Sequence, residues 1–141
     1  MNSYIKPSEL NISGDPIPNE VADKMVEHHI IPMNAVRAAL GLPVWASEKS
    51  GWRPFWWEKQ NGRDGSSEHV YNGMGAVDWT CQDFQKNKDK FLKLISELTS
   101  YNRIAVYATF IHCDYKPTKS GRREFYTSNS SSQWKFVKFI D

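Results

Sequence analysis

A chain of 141 residues with 40% hydrophobic and 13% aromatic side chains is long enough to bury one core unaided, and too rich in Trp, Phe and Tyr to stay disordered. Eighteen basic against sixteen acidic residues leave a formal charge of +2, and apart from Arg122-Arg123 the cations are scattered, so no electrostatic footprint for nucleic acid stands out. No basic leader precedes an apolar run and no segment approaches the ~20 apolar residues of a membrane helix, which predicts a monomer made in the cytoplasm without signal peptide or membrane insertion. Two cysteines are too few for a disulfide scaffold or a zinc site of paired Cys-x-x-Cys motifs, so any metal must be held by His and carboxylate.

Residues 1–18, with Pro7, Gly14, Pro16 and Pro18 among polar neighbours, read as an irregular arm lying over a single domain of residues 19–141. NEVADKMVEHH opens with an Asn cap and early acids, and IPMNAVRAALG ends at Gly41, so two short helices are expected. His28 and His29 are neighbours on that pattern, about 100° apart, and read as surface or packing residues. LPVWAS (42–47) is a strand candidate, followed by a long loop to residue 69 that is dense in aromatics. AVDWTC (76–81) reads as a strand, and NKDKFLKLISELTS (87–100) as a helix behind an Asn cap, with Phe91, Leu92, Ile95 and Leu98 at helical spacing. RIAVYATFIHCDYK (103–116), REFYTS (123–128) and QWKFVKFI (133–140) are β-rich and parted by the turn signals PTKSG and SNSSS. The expected fold is α+β, a small antiparallel sheet closing in a meander with helices packed on one side.

Strand alternation puts Phe110, His112 and Asp114 on one face, with Ile111, Cys113 and Tyr115 on the other. The same rule sets Asp78 and Ala76 opposite Val77 and Trp79, so a carboxylate projects from a strand whose other face is apolar. His69 lies on the loop leading into that strand, nine positions before Asp78, with Gly73, Gly75 and Ala76 between to let the chain turn tightly. If the two strands are neighbours, His69, Asp78 and His112 form a His₂-carboxylate set that suits Zn²⁺ with an open fourth position. A polar residue on a strand is also, and more often, a satisfied surface or core group. Cys113 and Cys81 fall by parity on the apolar side and read as buried free thiols.

SGWR (50–53), SEH (67–69), GAVDW (75–79) and FIHCDY (110–115), in that order and preceded by NAVRAALGLPVWAS, resemble the zinc D-alanyl-D-alanine carboxypeptidase family, which includes phage endolysins, murein endopeptidases and the hedgehog-like metal fold. The resemblance covers residues 34–116. It implies His69, Asp78 and His112 as zinc ligands, Arg53 as a substrate-binding catalytic residue and Ser67 as a support of the metal site. It further implies hydrolysis of peptide stems or cross-links of bacterial peptidoglycan by a phage lysis enzyme or virion-borne hydrolase, acting on the wall after release. Apart from the resemblance, Trp52 and the other loop aromatics Phe55, Trp56 and Trp57 either line a substrate groove or pin the loop to the body, and Trp52 and Tyr107 are read as substrate-binding residues.

Two departures mark the chain. The His69–Asp78 spacing is two residues longer than in many members, and Thr109 and Val106 stand where several carry an acid upstream of the last His. Asp114, about 6.5 Å along the same strand face from His112, is then either the general base or a partner that orients His112. A non-catalytic zinc-stabilised binding or structural module of the same fold is the alternative.

Overall fold

The computed structural model describes residues 5–128 and 133–140. The two expected helices form one helical run: α1 (Asn19–Lys24), a π-helical stretch (Met25–Ile30) and α2 (Ile31–Leu40), ended by Gly41 at φ +76°. Pro32 explains the irregular middle, because it has no N–H to offer the carbonyl four residues back. That carbonyl belongs to His28, and the Tyr115 hydroxyl donates to it instead.

Strand β1 (Val44–Ala46) follows, and the segment expected as a long loop contains a two-turn helix, α3 (Phe55–Gln60). Pro54 stands at its N-cap, where a fixed φ and a missing N–H cost nothing. The apolar-rich FWW hid this helix, since its inward-facing residue is Glu58, fully buried, rather than an apolar one.

Strand β2 (Ala76–Cys81) is buried along its whole length. Helix α4 (Phe84–Leu98) starts three residues before the expected cap. Phe84 sits edge-on to Phe91, with ring centroids 6.5 Å apart, and that contact extends the helix backwards. Asn87 lies inside it and donates to the Gln82 and Asp83 carbonyls, so it does not act as a cap.

The β-rich stretch 103–116 is a hairpin of β3 (Arg103–Val106) and β4 (Ile111–Asp114), after which β5 (Glu124–Ser128) and β6 (Trp134–Phe139) complete a six-stranded sheet in the order β1-β2-β4-β3-β5-β6. The α+β class holds, but the expected meander does not. Because β2 already occupies the free edge of β4, the chain crosses to the other side of the hairpin and β5 pairs with β3 in parallel. The turn expected at SNSSS lies, past Ser128, outside the described residues.

One face of the sheet carries Val77, Trp79, Ile104, Ile111 and Cys113 and packs on Met25, Met33 and Val36 of the helical run and Phe91 and Ile95 of α4. Both cysteines are buried and free. The arm contributes to this core through Ile5 and Leu10. It crosses the chain at Gly51, where a Cβ would stand 2.6 Å from the Leu10 carbonyl oxygen, so the glycine of SGWR is required by close approach. Trp52, next to it, bonds through its backbone to Leu10 and Ile12 and is only 7% exposed.

Candidate metal centre

The register of the sheet builds the site. Asp78 on β2 and His112 on β4 are direct cross-strand partners, and Ala76 pairs with Asp114. Arg103 on β3 faces Asp114 from the other side. Cross-strand partners on one face stand within side-chain reach, so the pairings Asp78–His112 and Asp114–Arg103 bring four polar groups into two adjacent rows of one face.

His69 joins from the 3₁₀ turn Glu68–Val70, which Ser67 caps by accepting the His69 backbone N–H at 3.1 Å. Arg53 ties the same turn down by donating its backbone N–H to the His69 carbonyl at 2.8 Å. The loop back to β2 is held from outside. Lys24 donates to the Tyr71 carbonyl, His29 Nε2 lies 2.9 Å from the Met74 carbonyl, and the Tyr71 hydroxyl donates to the Ala76 carbonyl. The loop is thereby anchored through Tyr71, buried next to His29 and itself at φ +66°.

Among the small residues of the loop, Gly75 is the one the turn depends on. Its φ is +89°, and a Cβ there would lie 2.3 Å from the Tyr71 ring, whereas Gly73 has room. Gly75→Ala is expected to destabilise the fold by about 2 kcal/mol or more, through strain at positive φ and displacement of Tyr71. Gly73→Ala serves as the control, and equal denaturation midpoints for the two variants would refute the assignment.

His69 Nε2 is 3.3 Å from Asp78 Oδ1 and 3.3 Å from His112 Nδ1, while His112 Nδ1 is 2.9 Å from Asp78 Oδ1. The outer nitrogens decide the tautomers. His69 Nδ1 is 2.8 Å from the Gly51 carbonyl, an acceptor only, so it carries the hydrogen and Nε2 keeps its lone pair. His112 Nε2 is 2.7 Å from Asp114 Oδ2 and donates to it, so Nδ1 likewise turns a lone pair inward. With both rings neutral, two imidazole lone pairs and a carboxylate oxygen thus converge with no donor between them, an arrangement that calls for a cation, either a metal ion or a proton on His112 Nδ1.

The buried His69–Asp78–His112 group can hold a metal ion. Two of its three edges, at 3.3 Å, match the roughly 3.3 Å between ligands of a tetrahedral ion with bonds of about 2.0–2.1 Å, as zinc has, and the third, at 2.9 Å, would open by a few tenths of an ångström to admit one. Burial holds the His69 imidazole neutral, its pKa below the ordinary value. Burial alone would raise the Asp78 carboxyl, yet the two imidazoles hold it well below the usual carboxylate range. Burial also opposes charge on His112, but its bonds to Asp114 and Asp78 outweigh this and lift it to about 9, so a proton on His112 takes the cation's place when no metal is bound.

Asp114 has no exposed surface and both its oxygens are used. Oδ2 accepts from His112 Nε2 and from Arg103, while Oδ1 accepts from Arg103 Nε at 2.9 Å and from the Lys116 backbone at 3.0 Å. Of its two expected roles, this geometry fits the partner that orients His112; a general base would have to face the shared centre, and Asp114 lies on the far side of the ring. Asp114→Asn is expected to lower metal affinity about 10- to 100-fold, with function restored by added metal. Undiminished metal affinity, measured by chelator competition, would count against that role.

Arg53 donates to Ser50 Oγ at 2.9 Å, and Ser50 Oγ donates to Asp78 Oδ2 at 2.8 Å, so the first and last residues of SGWR are joined to the second ligand. The guanidinium also lies 3.7 Å from Glu58 Oε2 and over the Trp57 ring. Beside the triad is a cleft of about 730 Å³ lined by Arg53, Ser67, Glu68 and Tyr107 among others. Trp52 does not line it. Burial under the arm places that side chain in the core, contrary to the expected place beside the substrate.

Four residues of the site escaped the sequence reading: Ser50, Glu58, Arg103 and Trp134. Ser50 stood inside the quoted motif, and Arg103 would have followed from pairing β3 with β4 in register. Comparison with models of known protein families, with curated proteins and with solved structures gives no match in any of the three.

Proposed function

We propose that the protein is a zinc-dependent peptidase of the D-alanyl-D-alanine carboxypeptidase type, hydrolysing peptide stems or cross-links of bacterial peptidoglycan. The observation that carries this reading is the convergence of three lone-pair donors, each oriented from behind by a carbonyl, a hydroxyl or a carboxylate, beside a cleft of substrate size. The order of SGWR, SEH, GAVDW and FIHCDY supplies the substrate class. Three protein ligands leaving a fourth position open are the pattern of catalytic rather than structural zinc.

Bound zinc would supply a Lewis acid that polarises a peptide carbonyl and acidifies water. The protein's own groups do the rest. Arg53, fixed by Ser50 and Glu58, presents a guanidinium suited to a carboxylate or carbonyl of the peptide, and cannot itself ligate the metal because it stays protonated. Ser67 holds the backbone of His69, and Asp114 with Arg103 holds the ring of His112.

The engagement of Asp114 favours a second reading, a metal-stabilised binding module of the same fold, because the acid nearest the last ligand is not free to carry a proton. Purified peptidoglycan separates the two. The peptidase releases new amino termini only with zinc present, and Arg53→Lys retains zinc while losing most of the rate. Stoichiometric zinc with no products detectable by mass spectrometry would establish the module.

A further inference from the structure

The last strand brings to the cleft a side chain that lies outside both the ligand set and residues 34–116. Trp134 on β6 places its ring 5.1 Å from the His112 ring and 4.6 Å from the Arg103 guanidinium carbon, so it covers the pair that orients His112. Its Nε1 donates to the Tyr107 hydroxyl at 2.7 Å.

An indole N–H can only donate, so here the phenol oxygen is the acceptor and the phenol's own hydrogen is directed elsewhere. Among the described residues that hydrogen meets no acceptor. The Tyr107 ring is stacked on Phe110, with centroids 4.5 Å apart and planes at 19°. The Tyr107 backbone N–H closes the β3–β4 turn by donating to the Phe110 carbonyl at 2.9 Å. The phenol is thus held by a ring, a turn and an indole, and it faces the same cleft as the triad. A donor fixed before the ligand arrives stabilises developing negative charge without reorganising.

We propose that Tyr107 donates a hydrogen bond to the carbonyl oxygen of the bound peptide as that oxygen gains negative charge, and that Trp134 is the positioning residue that holds it there. The proposal rests on the peptidase reading. In the hydrolysis, water oxygen bonds to the carbonyl carbon, the C–N bond breaks, and the protons of water end on the new amine and acid; Tyr107 keeps its own proton throughout.

Zinc-loaded full-length protein with Tyr107→Phe, with Trp134→Phe and with both substitutions tests it. Tyr107→Phe is expected to keep one zinc, lower kcat about 10²- to 10³-fold, and weaken binding of a phosphinate analogue of D-Ala-D-Ala. Trp134→Phe should fall in the same direction, and the double variant should be no worse than Tyr107→Phe alone, since the indole acts through the phenol. The indole N–H resonance lost in Trp134→Phe should shift in Tyr107→Phe, a readout independent of turnover. Cleavage and analogue binding undiminished in Tyr107→Phe would overturn the proposal while leaving the peptidase reading intact. A Trp134 indole resonance that does not move would overturn the positioning role. Wild-type protein that neither cleaves nor binds the analogue would overturn the peptidase reading, and this proposal with it.

Discussion

His112→Ala is expected to abolish tight metal binding, with an affinity loss on the order of 10³-fold or more, because it removes one of three protein ligands, the ring that Asp114 holds with a lone pair towards the shared centre. The substitution leaves Asp78 and His69 still 3.3 Å apart but without the third corner of the triangle. Elemental analysis after gel filtration measures it, with His28→Ala, whose imidazole lies outside the cluster, as the control. Equal metal content in the two variants would show that the converging lone pairs are not the binding site. The loss should appear also as reduced stabilisation by zinc, since an ion that binds only the folded chain raises its stability.

The second large effect concerns acid. His29 is fully buried, and burial drives its pKa from 6.5 down to about 3. The surroundings fit only the neutral ring: Trp79 Nε1 donates to the Tyr101 oxygen, Tyr101 donates to His29 Nδ1, and His29 Nε2–H donates to the Met74 carbonyl. A proton on Nδ1 would leave the Tyr101 hydroxyl facing a donor. The folded-state pKa lies below the unfolded one, so the unfolded chain takes up the proton first, and stability is lost as pH falls from about 6.5 towards 3. By pH 4 the loss from this residue is about 3 kcal/mol. Chemical denaturation at pH 7 and pH 4 should show His29→Gln to be less stable than wild type at pH 7 but with a shallower fall. Parallel pH profiles would mean that His29 protonates without penalty. Asp78 and Asp114, whose carboxyls are held low by their partners, add further acid sensitivity in both proteins, so the difference between them is the measured quantity.

Alternation along a strand was enough to place Asp78 and His112 on a common face, because a period of two depends on nothing outside the strand. Their pairing, Asp78 opposite His112, needed the neighbour relation of β2 and β4, which local sequence does not encode. The failures share that cause. The parallel seating of β5 on β3 follows from which edges are already occupied, and no turn signal between Lys116 and Arg123 reports it. Helix α3 was missed because its inward residue is an acid, Glu58, neutralised by the largely buried Arg53 and by Arg63 from the surface. Trp52 was placed beside the substrate because an aromatic in a motif-bearing loop suggests contact; the arm that buries it lies some forty positions away in sequence. Asp114 was correctly located and its role left open, since parity fixes which face a side chain takes but not which nitrogen of a neighbouring ring it meets.

The parallel attachment of the β5–β6 pair also divides the molecule's evolutionary freedom. The candidate ligands and the groups that orient them lie between residues 50 and 114, Asp78, His112, Asp114 and Arg103 on strands locked by antiparallel register and His69, Ser50 and Gly51 on a turn and loop tied to them, and there a change of residue disturbs the cluster itself. Trp134 reaches the cleft from a terminal hairpin hung on the outer edge of that unit, where Phe136 and Val137 beside it stay exposed. Substitution along this edge strand can therefore reshape one wall of the cleft while leaving the backbone register that assembles His69, Asp78 and His112 untouched, so the shape of the cleft and the integrity of the cluster are separable properties of the fold.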